Sequence, residues 1–306
     1  MFTLAVRFSI FVNMINYNNP KLRVLNCTHT DVDGAGASIV LKNFYEDVTV
    51  IPVTYNTEWK LLDEIRRYEG KYDAIICTDF YPAQTINDLR KLSTTLVLDH
   101  HESVADKNND TDIIINTLYS GTKLAYKFIS KFKDISYLEK LVDIIDDYDM
   151  FRLKIPASVY FNNLFWEMGH KWFIRRFITG NTVMYPEEKR YFIDAKKEFD
   201  KMYETLEIVD LAHNGVYFQT DRFHYECIEA LKKDGYKWFV IKNKSNLSVR
   251  CDDIDLTEIC KKLGRGGGHR TACGIPLQKS DNVVELIKKI ELFVDSDYNN
   301  LDITNS

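Results

Sequence analysis

Three short stretches place acids and imidazoles where the chain should be burying itself. Residues 29–34 read HTDVDG, residues 77–80 CTDF and residues 94–101 TTLVLDHH. Each follows or closes a run of apolar or β-branched residues. His29, Asp31 and Asp33 are spaced by two, so on an extended chain they face the same way. Gly34 and Gly36 leave room for a turn into a helix. His100 and His101 are adjacent and point differently, which gives them different jobs. Two carboxylates roughly 4 Å apart repel by about 4 kcal/mol at an effective dielectric of about 20. Converging acids therefore take up protons or hold cations. Mixed carboxylate and imidazole donors suit manganese, magnesium or iron better than a thiolate-bound metal. Asp79, near the middle, is placed to bridge two ions, and two-metal sites activate water and clamp phosphoryl oxygens. A further acidic group, Asp146, Asp147 and Asp149, ends a helix, where the dipole disfavours acids. Spacing alone does not choose a ligand among the three.

The elements that must position these residues follow a β-α-β-α rhythm. Strands are predicted at 22–28, 48–53, 73–79 and 94–99. Helices are predicted at 35–46, at 58–70 (ended by Gly70) and from near Pro82. Short apolar strands alternating with helices predict a parallel sheet covered on both faces. In such sheets ligands gather beyond the carboxyl ends of the strands, where these acids and histidines fall. Two helices follow at 121–132 and 135–146.

Residues 157–178 have helical spacing, and their aromatic stripe reads as core and domain-packing surface. PEEKRYFIDAKKEFDKMYETL, 186–206, reads as a long connecting helix. A smaller α/β unit follows, with KWFVIK and NLSVRC as strands and DLTEICKKL as a helix. Asp255 and Glu258 have capping-box spacing at its start. Next comes a glycine loop, GRGGGHR, 264–270, whose successive N–H groups could form an anion nest, with Arg265, His269 and Arg270 beside it. Arg250, at a strand end, suits a bidentate phosphate contact. His170, His213 and His224 lack such context and read as structural or surface residues. The tail after Ser296 is expected to fray.

The length of 306 residues suits two domains, and 45% hydrophobic content suits packed cores. The six cysteines form no CxxC pair or compact disulfide pattern, which fits free thiols in a reducing cytoplasm. A net charge of −5 argues against binding long nucleic acid through a broad basic surface. No stretch is apolar for long enough to span a membrane. The N-terminal segment, broken by Arg7, fits a signal peptide poorly, and Met14 is an alternative start with 1–13 as an extension.

Together these stretches resemble the DHH phosphoesterase superfamily, whose name matches Asp99–His100–His101. HTDVDG resembles its first motif, Asp79 its second and DDYD its fourth. GGGH at Gly266–His269 resembles the signature of the DHH-associated domain. The resemblance runs from about residue 22 over nearly the whole chain. It implies two divalent ions, manganese first and magnesium second. His29 and Asp31 would hold one, Asp33, His100 and Asp147 the other, with Asp79 bridging. Asp147 is preferred because DYDMFR aligns with the family's Asp, aromatic and Arg. His101 would face the scissile phosphate, and Asp99 would orient its neighbours. Gly266, Gly267, Gly268, His269 and Arg250 would grip the nucleotide end of the substrate. The first-motif histidine precedes its Asp by two residues, as in RecJ-type and archaeal exonuclease members; the small oligoribonuclease branch has four.

The expectation is an α/β protein: a parallel-sheet DHH catalytic domain at 20–165, a helical linker at 166–206 and a DHH-associated domain at 207–298. It would be a metal-dependent phosphodiesterase hydrolysing short single-stranded RNA, DNA or dinucleotides by a two-metal route, cytoplasmic and compatible with a homodimer. Alternatives are a RecJ-type single-strand DNA exonuclease, a hydrolase of cyclic dinucleotides or 3′-phosphoadenosine 5′-phosphate, and an inactive nucleic-acid-binding relative.

Overall fold

The computed structural model describes residues 16–304 except Asp110. The segment 1–13 and the alternative start at Met14 lie outside the described residues. The chain divides into two compact units. The first takes residues up to His100 together with 107–182, and the second takes 101–106 together with 183 onward. The long helix expected as a linker falls in the second unit, and the aromatic-rich helices before it fall in the first.

The first unit runs β1 (Arg23–His29), α1 (Val32–Lys42), β2 (Asp47–Val53), α2 (Leu61–Arg66), β3 (Ala74–Thr78), α3 (Ile86–Leu92), β4 (Thr94–Asp99), β5 (Ile113–Ile115), α4 (Gly121–Ile129), α5 (Glu139–Asp149), α6 (Ala157–Met168) and α7 (His170–Phe177). Its five strands pair in the order β2-β1-β3-β4-β5, every pair parallel. β3 is buried along its whole length, and β1 and β4 nearly so. That explains why they read as continuous apolar runs rather than alternating ones.

Helix α1 starts three residues earlier than the sequence suggests. Asp31 is its N-cap and accepts the Gly34 N–H at 3.0 Å. The stretch 58–70 is a 3₁₀ turn at Tyr55–Lys60 followed by only two turns of α2. The helix expected at 135–146 is shifted to Glu139–Asp149, so the acidic residues lie within its last turn. Gly169, at φ 80°, breaks 157–178 into α6 and α7. Phe161, Phe165, Phe173 and Phe177 are buried there and touch edge-on or tilted, with Phe161 and Phe177 centroids 4.7 Å apart.

Beneath the strand ends lies a buried polar network. Asn26 donates to the Ile76 carbonyl and to Thr78, accepts from Ser38, and Thr28 donates to the Thr78 carbonyl. Every member is satisfied, so the network ties β1 to β3 and α1 without an unpaired polar atom.

The second unit runs α8 (Pro186–Tyr203), β6 (Ile208–Leu211), β7 (Gly215–Gln219), α9 (His224–Lys233), β8 (Trp238–Lys242), β9 (Asn246–Cys251), α10 (Thr257–Leu263), β10 (Gly267–His269), β11 (Ala272–Pro276) and α11 (Val283–Thr304). Its sheet order is β10-β11-β9-β8-β7-β6, antiparallel except for β7 with β8. Trp238, Val240, Val249, Ile259, Ile290 and Val294 belong to its core. Asp255 accepts from the N–H and hydroxyl of Thr257, while Glu258 pairs with Lys261. The expected capping box therefore does not form, because the helix begins two residues after Asp255. The tail expected to fray after Ser296 continues α11 to Thr304.

Candidate metal centre

The carboxyl ends of β1, β3 and β4 deliver their acids and imidazoles to one edge. Two donor groups form there, each with its ligand atoms within 4.8 Å of one another: His29, Asp31 and Asp79, and Asp33, His100 and Asp149. Asp79, Asp99 and His100 also share such a neighbourhood, so Asp79 takes part on both sides.

His29 Nδ1 lies 2.6 Å from Asp31 Oδ2 and 3.8 Å from Asp79 Oδ2. His100 Nε2 lies 3.1 Å from Asp79 Oδ1, 3.3 Å from Asp149 Oδ2 and 3.8 Å from Asp33 Oδ2. Asp33 and Asp99 are 0% exposed, and Asp79 and His100 1%. Acids in such company raise each other's proton affinity. Burial and then the Asp31 charge push Asp33 up to about 6. Asp79 and Asp149 are pushed well above the ordinary carboxylate range, first by burial and then by neighbouring acids. Burial also opposes the Asp31 charge, but the adjacent His29 imidazole overrides it and holds Asp31 below that range. Burial opposes protonation of His29, and the Asp31 carboxylate reverses that effect and raises it.

Asp33 is held by the start of α4. The Gly121 N–H donates to Oδ2 at 2.6 Å, the Thr122 N–H to Oδ1 at 2.9 Å, and the Thr122 hydroxyl to the Asp33 carbonyl at 2.6 Å. A helix N-terminus favours an anion at this place. Asp79 sits one residue past β3 at φ 54°. Its N–H still bonds the Leu98 carbonyl at 2.9 Å, so the ladder continues while the side chain is turned to the edge. Asp99 Oδ1 accepts the His100 N–H at 2.8 Å, fixing the turn that aims His100. Asp79 Oδ2 and Asp149 Oδ2 are buried and make no hydrogen bond among the described residues. Buried acceptors of this kind, crowded among other acids, with oxygen and imidazole donors on all sides, fit hard or borderline divalent cations.

The helix-end acid in this cluster is Asp149, and Asp147 lies outside it. Both Asp147 oxygens are engaged elsewhere, accepting the N–H groups of Lys154 and Ile155 at 3.0 Å each. The chain after α5 curls back, with Phe151 and Leu153 at positive φ, and Asp147 caps that curl. Asp146 pairs with Arg152 and accepts the Ser120 N–H at 2.8 Å. The sequence reading also passed over Gly121 and Thr122. The only local signal was Ser120 as a helix cap, since its side chain accepts the Lys123 N–H. His101 is half-buried and opens the 101–106 segment that belongs to the second unit.

In the second unit, Gly267–His269 form an edge strand where a glycine loop is expected. Gly267–His269 pair with Ala272–Gly274, and Ala272 pairs with Arg250, so positions 269, 272 and 250 form one row across three strands. The glycines answer to close backbone approach: a β-carbon on Gly266 would collide with the Gly274 carbonyl, and one on Gly268 with that of Ala272.

Residues 23–147 match the family described as DHH family, N-terminal domain. No curated protein matches the sequence. The pGpG-specific phosphodiesterase PggH from Vibrio cholerae is similar in fold over 90% of this chain and 100% of its own, with a TM-score of 0.51 and 15% identity. Exonuclease RecJ, in a crystal structure bound to manganese, is similar over 89% of this chain and 90% of its own, with a TM-score of 0.50 and 12% identity. Among the described residues no helix is long and apolar enough to cross a membrane. The stretch that matches this family carries β1 to β5 and the clustered side chains from His29 to His100.

Proposed function

We propose that the chain is a phosphoester hydrolase that cleaves short oligonucleotides or dinucleotides with the help of two divalent ions, manganese or magnesium. One observation carries this reading: two three-residue donor groups meet at Asp79, which lies 3.8 Å from His29 and 3.1 Å from His100. When bound, such ions supply Lewis acidity and lower the pKa of water. His29 and Asp31 would hold one ion and Asp33, His100 and Asp149 the other, with Asp79 available to both groups. Asp99 orients His100 through its backbone. His101 contacts the scissile phosphate. Residues 207–298 act as a DHH-associated domain, in which Arg250, Gly266, Gly267, Gly268 and His269 bind the nucleotide end of the substrate.

The substrate class draws support from the two neighbours in fold, one named for pGpG and the other an exonuclease. The net charge of −5 favours short substrates over long polyanions. Six cysteines, all free and buried, suit a cytoplasmic location. The His29-x-Asp31 spacing favours a second reading, a single-strand exonuclease. The test is purified protein with manganese, given labelled RNA and DNA of two to five residues, pGpG and long single strands. Cleavage confined to the short substrates is expected. Preferential, steeply salt-dependent cleavage of long strands favours the exonuclease, and no cleavage of any substrate overturns both readings.

A further inference from the structure

His170 belongs to neither donor group, yet its helix packs against the helix that Asp31 caps. Asn43 is the C-cap of α1 and Ile178 that of α7, and Asn43 Nδ2 donates to the Ile178 carbonyl at 2.8 Å. The two helices also pack against each other. With their C-terminal ends joined, they run side by side in the same direction. At a rise of about 1.5 Å per residue, the eleven residues of α1 and the eight of α7 differ in length by about one turn. The start of α7, His170, therefore comes to the end of α1 that Asp31 caps. In keeping with this, burial lowers the proton affinity of the His170 ring, and Asp31 is the charge that opposes the effect.

The ring is also held. It meets Phe165 edge-on, with centroids 6.0 Å apart at 79°. Gly169, at φ 80° and ψ 162°, turns the chain sharply between α6 and α7 and puts His170 at the first helical position. Nε2 is shielded from solvent and has no hydrogen-bond partner among the described residues. Leaving such an atom unsatisfied costs roughly 1–3 kcal/mol, and an orphan of this kind calls for a bound group to complete it. His170 belongs to none of the metal-capable donor groups among the described residues, so a cation held by those groups does not fill that need.

We infer that His170 is a substrate-binding residue whose Nε2 donates a hydrogen bond to a phosphoryl oxygen of a substrate held at the metal centre. This rests on the phosphoester-hydrolase reading above and adds a contact from α7 to it. The reacting atoms are those of that reading; His170 contributes a donor that holds the phosphate in place.

Two measurements test this. In magnesium-loaded protein, titration with inorganic phosphate should shift the His170 ring resonances in NMR, whether or not the protein turns over any substrate. Absence of a shift overturns the inference. In kinetics, His170→Phe keeps the ring packing on Phe165 and removes the donor, and His170→Gln returns a donor at a similar reach. The Phe variant should lose about tenfold or more in kcat/KM, with manganese affinity and melting temperature unchanged, and the Gln variant should recover part of the loss. Wild-type rates in the Phe variant, or a loss explained by weaker manganese binding, overturn the inference. If wild-type protein cleaves nothing, the hydrolase reading fails, and the phosphate titration still decides the role of His170.

Discussion

A β-carbon on Gly121 would sit 2.6 Å from the Cβ of Asp79 and 2.8 Å from Asp33 Oδ2. The first residue of α4 is therefore pressed against two acids of the cluster, and its N–H holds one of them. Gly121→Ala must displace Asp79, Asp33 or α4. Overpacking of this kind costs about 1–3 kcal/mol. Because the displaced groups are proposed ligands, manganese affinity should fall by about 10–100-fold as well. Calorimetric titration with manganese and urea denaturation measure the two effects. A Gly121→Ala variant that binds manganese like wild type would show that this contact does not set the geometry of the site.

The helix-end acids separate by their partners. Asp149→Asn should cost about 10–100-fold in manganese affinity and leave the metal-free fold at least as stable as before, since the buried acid it removes is pushed above its ordinary pKa. Asp147→Ala leaves the Lys154 and Ile155 N–H groups without their acceptor, a loss of about 1–2 kcal/mol. Its manganese affinity should change little. Metal titrations and denaturation of both variants check this, and the opposite pattern would return Asp147 to the metal.

That distinction marks where local sequence stops being informative. The strand ends were legible because apolar runs locate β1, β3 and β4; the shared face expected of His29, Asp31 and Asp33 does not form, because α1 already opens at Val32 and carries Asp33 to the other donor group. The choice between Asp147 and Asp149 was not legible, because it depends on how residues 150–155 curl back. The hold of Gly121 and Thr122 on Asp33 joins residues nearly ninety positions apart, and no local pattern encodes such a contact. GGGH read as a loop because glycine runs mark flexibility; here Gly266 and Gly268 each admit a neighbouring backbone, and that neighbour is set by the pairing of β10 with β11. His170 read as a structural or surface residue because its surroundings are made by the packing of α7 along α1.

Metal-free protein should show an inverted pH dependence at the cluster. Asp33 takes up its proton at about 6 when folded, against an ordinary 3.8. Folding therefore binds this proton more tightly than the unfolded chain does. The resulting stability is fully present below 3.8 and is lost as pH rises through about 6. Asp79 and Asp149 shift in the same direction. The stability of wild type relative to Asp33→Asn, measured by urea denaturation with chelator present, should fall across that window. Saturating manganese should reverse the trend, because metal binding needs the carboxylates ionised. A wild-type-minus-variant difference that stays flat with pH in chelator would contradict the raised affinity of Asp33.

Asp79 gives the sharpest conflict between stability and function. It is buried among Asp31, Asp33, Asp149 and Asp99, and metal-free protein must either charge it there or protonate it above its ordinary pKa. Both options cost free energy at neutral pH. Asn is close in size to Asp and tolerates the positive φ at this position. Asp79→Asn should therefore raise metal-free stability by about 1 kcal/mol while lowering manganese affinity by about 10–100-fold, with hydrolysis falling in step. Thermal melts in chelator and calorimetric titration of the same preparation would show the two changes moving in opposite directions. A variant that binds and cleaves as well as wild type would remove Asp79 from its place between the ions; one that gains no metal-free stability would mean that the crowded acids are already relieved by other means.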